Sequence, residues 1–368
     1  MKFSVSRGEL ADAISVVGRG LSSRSTLPIL SGILISADPS GEVTLQATDL
    51  EVSIKETLSL AGVEKAGAAV LPGRLLGDIV KSLPEAAVTI DVDGEMAAIT
   101  CLHASFALRV LPHEDFPKFP HVESDKMVSL PAAKVKETIK HVSKAVSRDE
   151  TRPVLTGILL TIEGPQLKMV ATDSYRLAVK EGELEDSGQE AVEIVIPAKV
   201  LEEVARVSAG NEEISLGVAE NQIVFSFGRT VFVTRRIDGA FPNYRQLIPK
   251  ESETKVSVSR EELMAAVKRV SLLAQHNTPL RITVRAEDQT VSLSATSHDV
   301  GDASEDVMAS VEGSDVEIAF NHIFLLDGLT AAEGESVDID IVSPLKPGVI
   351  TGPQDEGFLY LLMPVRLN

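Results

Sequence analysis

The chain repeats itself, and that constrains its fold more than any other feature. Ala47-Thr48-Asp49, Ala171-Thr172-Asp173 and Ala295-Thr296-Ser297 are separated by 124 residues and again by 124. Pro28-Ile29-Leu30-Ser31-Gly32-Ile33-Leu34 returns as Pro153-Val154-Leu155-Thr156-Gly157-Ile158-Leu159, and Phe116-Pro117 as Phe241-Pro242. A fixed period of this length means one module used three times, each of a size that can bury its own core. We place the domains at 1–120, 127–246 and 253–368. The connectors His113–Lys126 and Phe241–Glu253, rich in proline and charge, read as extended linkers.

Periodicity inside the first repeat predicts strands at Lys2–Ser6, Ile29–Ala37, Val43–Thr48, Val52–Leu60, Ala69–Leu71, Val88–Val92, Ala97–Leu102 and Phe106–Leu111. Helices are expected over Arg7–Val17, with Leu10, Ile14 and Val17 on one face, and over Gly73–Leu83. Each repeat is thus two β-α-β-β-β units. Strands linked by tight turns make antiparallel sheets, and two helices per repeat can cover only one face. The fold class is α+β, three tandem domains with helices on one side and sheets on the other. The third repeat carries Arg281 where the first two carry Gly32 and Gly157, so its first half is expected to be remodelled.

Catalytic and cofactor constellations are missing from the pattern. The seven histidines are scattered with no ligand spacing, and the lone Cys101 excludes a disulfide framework or a cysteine metal site. Cys101 lies in an alternating strand and reads as an inert core thiol. Gly18-Arg19-Gly20 ends a helix and does not open one, and no Gly-Lys-Ser/Thr phosphate loop occurs, so nucleotide cofactors are disfavoured. Asp49 and Asp173 occupy equivalent places in separate repeats and read as turn-closing residues, not a catalytic pair. No run approaches the roughly 18 apolar residues of a membrane helix, and the N-terminus lacks an export h-region, so a cytoplasmic protein without membrane attachment is expected. We expect no enzyme, no metal and no cofactor.

A net charge of −19 argues against nucleic acid until it is mapped. The six predicted helices together sum to +3, which leaves the acid on strands, turns and linkers. Lys136, Lys140, Lys144 and Arg148 recur at intervals of four in a helix expected over Ala132–Arg148. Such a stripe is either a solvated face or a weak seat for a phosphate backbone. Arg24, Arg74 and Arg152 lie near element ends in the repeats. With 4% aromatics and no tryptophan, base stacking has little to build on, and binding would be independent of sequence.

Residues along the whole chain resemble those of the bacterial DNA polymerase sliding clamps, the β subunits of the replicative polymerase. They include Met1-Lys2-Phe3, Thr26-Leu27-Pro28-Ile29-Leu30, Ala47-Thr48-Asp49-Leu50-Glu51, Ala171-Thr172-Asp173 with Arg176-Leu177-Ala178, Asp238-Gly239 with Phe241-Pro242 and Tyr244, and Tyr360-Leu361-Leu362-Met363-Pro364-Val365-Arg366-Leu367. The resemblance implies a head-to-tail homodimeric ring whose helices line duplex DNA. It implies partners that bring short hydrophobic motifs: the replicative polymerase subunit, the clamp loader and repair polymerases. A partner-peptide pocket is implied at Leu155, Thr172, Tyr175, Arg176, Leu177, Pro242, Leu247, Leu361, Leu362, Met363, Pro364, Val365 and Arg366. DNA-facing positions near the ring lumen are implied at Arg24, Arg74 and Arg152, and a dimer interface at Phe106, Leu272 and Leu273. Tyr175 and Gln246 stand where some relatives have His and Arg, and Pro153 and Val154 where some have aromatics. A monomeric three-domain peptide scaffold without DNA function is the competing class, and a hydrolase comes third.

Overall fold

Chain segments that lead into helices carry their own caps. Ser6 accepts from the Glu9 N–H while its hydroxyl donates to the Glu9 carboxylate at 2.6 Å, a side-chain N-cap that starts the first helix. Ser259 accepts from Glu262 N–H in the same way at the fifth helix, and Asn321 accepts from the Ile323 and Phe324 N–H groups at the sixth. The computed structural model describes residues 1–22, 27–122, 127–184, 191–274, 279–297 and 300–366.

The first repeat runs β1 (Lys2–Ser6), α1 (Arg7–Val17), β2 (Gly32–Ala37), β3 (Glu42–Thr48), β4 (Val52–Ser59), β5 (Val63–Lys65), β6 (Gly67–Pro72), α2 (Gly73–Ser82), β7 (Ala87–Asp93), β8 (Met96–Cys101) and β9 (Ala104–Arg109). The second runs β10 (Met127–Pro131), α3 (Ala132–Val142), β11 (Gly157–Glu163), β12 (Gln166–Thr172), β13 (Arg176–Glu183), β14 (Val192–Pro197), α4 (Ala198–Val207), β15 (Glu213–Val218), β16 (Gln222–Phe227) and β17 (Thr230–Arg235). The third runs β18 (Thr254–Ser259), α5 (Arg260–Val270), β19 (Leu280–Arg285), β20 (Thr290–Ser297), β21 (Gly301–Gly313), β22 (Val316–Phe320), α6 (His322–Ala331), β23 (Ser336–Ile341), β24 (Gly348–Gly352) and β25 (Asp355–Leu362). Two β-α-β-β-β halves per repeat are present, with β5 as an addition in the first.

The halves exchange their leading strands. β1 pairs with β7 of the second half, while β6, which leads that half, pairs with β2 of the first. The same reciprocal pairing joins β10 to β15 and β14 to β11, then β18 to β23 and β22 to β19. Exchange makes the first and the third repeat each one cooperative body, because neither half completes its sheet alone. All ladders are antiparallel, and they close into sheets of five, eight and twelve strands. The chain divides into two compact units, Met1–Ala132 with Glu203–Arg236 and Ala133–Glu202 with Ile237–Asn368. In the first, α1 and α2 pack on each other and on β2, β3, β4 and β6. In the second, α5 and α6 pack on each other, α5 also lying on β18, β20 and β21 and α6 on β25. Alternating burial along β3, β7 and β23 leaves the far face of these strands partly solvated.

Several expectations need correction. The basic helix ends at Val142; a 3₁₀ turn, Ser143–Ala145, follows, and the chain turns away so that the Ser147 N–H can donate to Leu155 O. The predicted strand Ile29–Ala37 starts only at Gly32, because Pro28–Ser31 form a 3₁₀ turn closed by the Ser31 hydroxyl on Pro28 O. Phe241–Glu253 is not simply an extended linker: Tyr244 is buried, and Phe241 and Ile248 pack against the same cluster. The third repeat is not remodelled at Arg281. Gly32 pairs with Pro72 and Gly157 with Pro197, each just before a helix, whereas Leu280 pairs with Phe320. That register puts Pro279 in the glycine position and Arg281 two residues further on, exposed and paired with Glu317 at 3.0 Å.

Candidate peptide-docking surface and open sheet edges

Adjacent repeats join edge to edge. β17 lies antiparallel to β4, with Thr230 opposite Glu56 and Phe232 opposite Ile54. β25 lies antiparallel to β13, with Leu362 opposite Arg176, Leu361 opposite Leu177 and Phe358 opposite Lys180. Both seams carry a buried ionic clasp at the same register. At the first, the Glu56 carboxylate takes Arg229 Nε at 2.5 Å and the Thr230 hydroxyl. At the second, Asp355 takes Lys180 Nζ at 2.5 Å, His141 Nε2 at 2.9 Å and the Glu333 N–H at 2.9 Å. Burial would raise the Asp355 carboxyl, yet the hydrogen bonds from His141, Lys180 and Glu333 outweigh it and hold the group down to about 2.

The second seam gathers most of the expected peptide-site residues. Leu177 and Leu361 are buried in one cluster with Leu159, Val170, Val179, Val195, Tyr244 and Val349. The chain after β17 folds back over it, with the Ile237 N–H donating to Val195 O and Tyr244 anchoring the 3₁₀ turn Tyr244–Leu247. That turn leaves Pro242 and Leu247 exposed. Beyond β25, the Met363 N–H donates to Tyr175 O at 2.9 Å and the Val365 N–H to Ala319 O at 2.8 Å. Tyr175, Leu247, Met363 and Val365 are therefore apolar side chains held open to solvent by fixed backbone. Leu155, Thr172, Leu177, Leu361 and Leu362 are buried, with Leu177 and Leu361 in the cluster beneath; Pro364 is half-buried and Arg366 exposed.

Arg176 does not line this surface as a free cation. Its guanidinium turns inward to Asp173 at 2.9 Å, Asp327 at 2.6 Å and the Tyr360 hydroxyl at 3.2 Å, and sits 4.2 Å from the centre of the Phe324 ring. Burial disfavours its charge, but Tyr360, Asp327 and Asp173 more than compensate and raise it above its ordinary value. Burial also raises the Tyr360 phenol, which donates to Phe324 O at 3.1 Å. Tyr175 stacks on Phe324 with ring centres 6.4 Å apart. Asp173 closes its turn through the Tyr175 and Arg176 N–H groups, with Ser174 at φ 80, as Asp49 does through Glu51 and Val52, with Leu50 at φ 78. The turn reading of both Thr-Asp motifs holds.

Sequence reasoning missed Phe324, Asp327 and Tyr360. A signal for Asp327 existed: Asp78, Glu203 and Asp327 fall at the sixth position of α2, α4 and α6. Glu203 takes Arg19 at 2.5 Å, so an acid at that place receives an arginine in both seams.

The basic candidates divide. Lys136 and Lys140 lie one turn apart on α3, exposed, while Lys144 sits in the 3₁₀ turn and Arg148 beyond it. Lys140 pairs with Glu333 at 2.7 Å. Arg152 pairs with Asp149 at 3.1 Å and donates to the Ser174 hydroxyl at 2.9 Å. Arg74, on α2, is exposed, and Arg24 lies outside the described residues. Cys101 is buried, its thiol 3.7 Å from Pro84 O. Among the described residues, no three or more His, Cys, Asp or Glu side chains group to hold a metal, and no helix is long and apolar enough to cross a membrane.

Six strands end the halves of the repeats, β4, β9, β13, β17, β21 and β25; β4 pairs with β17 and β13 with β25, while among the described residues β9 and β21 have no partner from another repeat. β9, the last strand of the first repeat, pairs only with β8 and exposes Phe106. β21 pairs with β20 along Gly301–Met308 and with β18 only from Ala309 on, so its first eight residues keep one side bare. Next to that side, the 3₁₀ turn Ser271–Leu273 leaves Leu272 82% exposed and Leu273 half-buried.

Three repeats of one module, seamed through antiparallel strand edges, define a repeated-domain architecture of the clamp type. Family models for the DNA polymerase III beta subunit match residues 1–120 (N-terminal domain), 129–243 (central domain) and 245–366 (C-terminal domain). The chain belongs to this family, the sliding clamps that act as processivity factors of the replicative polymerase. It is 35% identical over 381 residues to the beta sliding clamp of Streptomyces coelicolor, which covers all of both chains. The crystal structure of the DNA polymerase sliding clamp from Bacillus subtilis superposes with a TM-score of 0.94 at 31% identity, covering all of both chains. The sliding clamp of Pseudomonas aeruginosa bound to griselimycin gives 0.94 at 27% identity, again over all of both chains.

Proposed function

We propose that two copies of this chain close head to tail into a ring around duplex DNA and tether the replicative polymerase, the clamp loader and repair polymerases through short hydrophobic motifs. The observation that carries this reading is the pair of half-ending strands left without a partner. β17 and β25 are the last strands of their repeats, and each pairs with the strand that ends the first half of the preceding repeat, β4 or β13. The strands left over are β9 and β21. They are the counterparts of β17 and β4, so a second copy supplies what each lacks, and head-to-tail contacts that close give a ring. Matching registers put Ser105 opposite Ser304 and Phe106 opposite Ala303 across the new seam. Leu272 falls where Arg19 meets Glu203 at the first seam; its counterpart acid is Asp78, with exposed Leu75 beside it on α2.

Enclosure does the tethering. With a net charge of −19 and a few exposed cations, such as Arg74, Lys136, Lys144 and Arg148, contact with phosphate is weak, sequence-independent and compatible with sliding. Arg24, Lys140 and Arg152 complete the proposed set. Tyr175, Leu247, Met363 and Val365 receive the apolar side chains of a partner motif over the floor of Leu155, Thr172, Leu177, Leu361 and Leu362, with Pro242, Pro364 and Arg366 at the rim and Arg176 holding the turn. A relative solved with griselimycin supports a ligand-competent surface on this fold. We assign the domains to 1–120, 127–246 and 253–368, and place the protein in the cytoplasm, without catalysis, metal or cofactor.

The test is a double variant, Ser105→Cys with Ser304→Cys. Directly opposed residues bring Cβ atoms to about 4.5–5.5 Å, close to disulfide reach. Mild oxidation is expected to give covalent dimers that stay on nicked circular DNA and leave when it is cut open. A species that stays at 39.3 kDa and never cross-links refutes the ring in favour of a monomeric scaffold.

A further inference from the structure

Both seams inside the chain are clasped at one register position, and the third seam brings its own residues to the same place. Along β4, β13 and β21 that position is occupied by Glu56, Lys180 and Glu305, opposite Leu45, Met169 and Leu293 in the neighbouring strands. On the other side of the first seam the partner is Arg229, in the turn after Gly228. The turn between β8 and β9 has the same geometry: Leu102 at φ 51 stands for Gly228 at φ 53, Cys101 pairs with Ala104 as Phe227 does with Thr230, and His103 stands for Arg229. His103 is exposed, with no ion pair among the described residues.

We infer that His103 of one copy and Glu305 of the next form the ionic clasp of the intersubunit seam, a contact made while the imidazole carries its proton. This deepens the ring reading and rests on it. Reach agrees, because Arg229 contacts Glu56 through Nε, which lies as many bonds from the backbone as a histidine Nε2. Glu305 is ready as an acceptor. Arg269 of α5 holds it through Nε at 2.9 Å and through Nη2, so ordering the carboxylate costs little on association. The Arg269 hydrogen bond also keeps Glu305 ionised, below its ordinary value.

The groups facing the clasp can be read from the cleft of about 620 Å³ beside Arg229 and Glu56, which Asp12, Ser15, Val16, Arg19 and Arg206 line. Their counterparts are Ala265, Lys268, Arg269, Leu272 and Lys81. Glu85, near the His103 turn, is already paired with Arg7 at 3.3 Å. Lys81 and Lys268 are exposed cations and oppose the imidazolium through screened solvent, while Glu305 favours it at contact distance. An imidazole carries its proton only below the ordinary histidine range, so the ion pair is present in acid and lost as pH rises through that range.

The experiment is a double-mutant cycle on the full chain, His103→Gln and Glu305→Gln alone and together, with the dimer dissociation constant measured by sedimentation at pH 6 and pH 8. A coupling of about threefold is expected at pH 6 and none at pH 8. His103→Arg, which recreates the pair of the first seam, is expected to keep the pH 6 affinity at pH 8. No coupling at pH 6 in a chain that still dimerises overturns the clasp and leaves the ring intact. Coupling unchanged at pH 8 overturns the imidazolium as its origin. Failure to dimerise at any pH overturns the ring reading first.

Discussion

Asp355→Asn removes the one acceptor on which the second seam converges. The change keeps shape but deletes a charge at a side chain only 2% exposed, beside Lys180 at 3% and His141 at 0%. Breaking a buried pair by removing one partner costs about 3–5 kcal/mol, because the remaining charge is left without compensation. Here Lys180 still has Glu137 at 3.2 Å, itself partly exposed, so the expected cost is near the low end, about 3 kcal/mol. Against a typical total of about 5–15 kcal/mol, that is large. Urea unfolding followed by circular dichroism reads it directly. The acid limb gives a second measure. Asp355 titrates at about 2 in the folded chain against an ordinary 3.8, so between these values the unfolded chain binds the extra proton and stability falls as pH drops. That contribution, about 2 kcal/mol, is fully present above pH 4 and is expected to be missing from the variant. A loss below about 1 kcal/mol, or an unchanged acid limb, refutes the clasp as the element that holds β13 to β25.

Leu272→Asp puts a charge in the proposed seam and should weaken dimerisation at least about 30-fold by sedimentation; an unchanged profile removes Leu272 from the interface. Deleting residues 363–368 should lower affinity for a hydrophobic pentapeptide at least about tenfold with the dimer retained, and undiminished binding counts against the docking surface. Reversing Lys136, Lys140 and Lys144 to Glu should flatten the salt dependence of retention on circular DNA, by about 0.9 in slope for each phosphate no longer neutralised, and sliding indifferent to the change rejects these lysines as DNA-facing.

The order of elements was legible because each repeat spells it with local signals. β1 and α1 lie at the predicted Lys2–Ser6 and Arg7–Val17, where alternation and a Ser-x-x-Glu cap act within a few residues. Misreadings arose where a short-range rule met a long-range one. Pro28 bends the chain into a 3₁₀ turn that apolar periodicity cannot distinguish from strand, and α3 stops at Val142 because the following residues hydrogen-bond to Leu155 instead. β5, three residues long and largely exposed, leaves no periodic trace. Strand exchange between halves was beyond reach, since alternation says which face is buried and not which strand lies alongside. At the candidate docking surface the apolar positions came from the resemblance alone. The inward turn of Arg176 did not, because it depends on Asp327 and Tyr360, 151 and 184 residues away.

Repetition raises the question of why the first seam does not carry the same docking surface as the second. The backbone is shared: the Asp49 and Asp173 turns match, and β4 meets β17 as β13 meets β25. The side chains differ at each decisive place. Ser53 stands for Leu177 and is buried with its hydroxyl 2.9 Å from that of Thr48, a polar pair where the second seam has an apolar floor. Exposed Glu51 stands for Tyr175 and exposed Arg235 for Met363, so charge replaces the apolar rim. An entering leucine would desolvate that serine–threonine pair and gain little apolar contact. On the proposed reading, divergence at three positions of one module leaves the first seam to assembly alone and partner recognition to the second, while the shared strand pairing keeps both seams able to hold the ring.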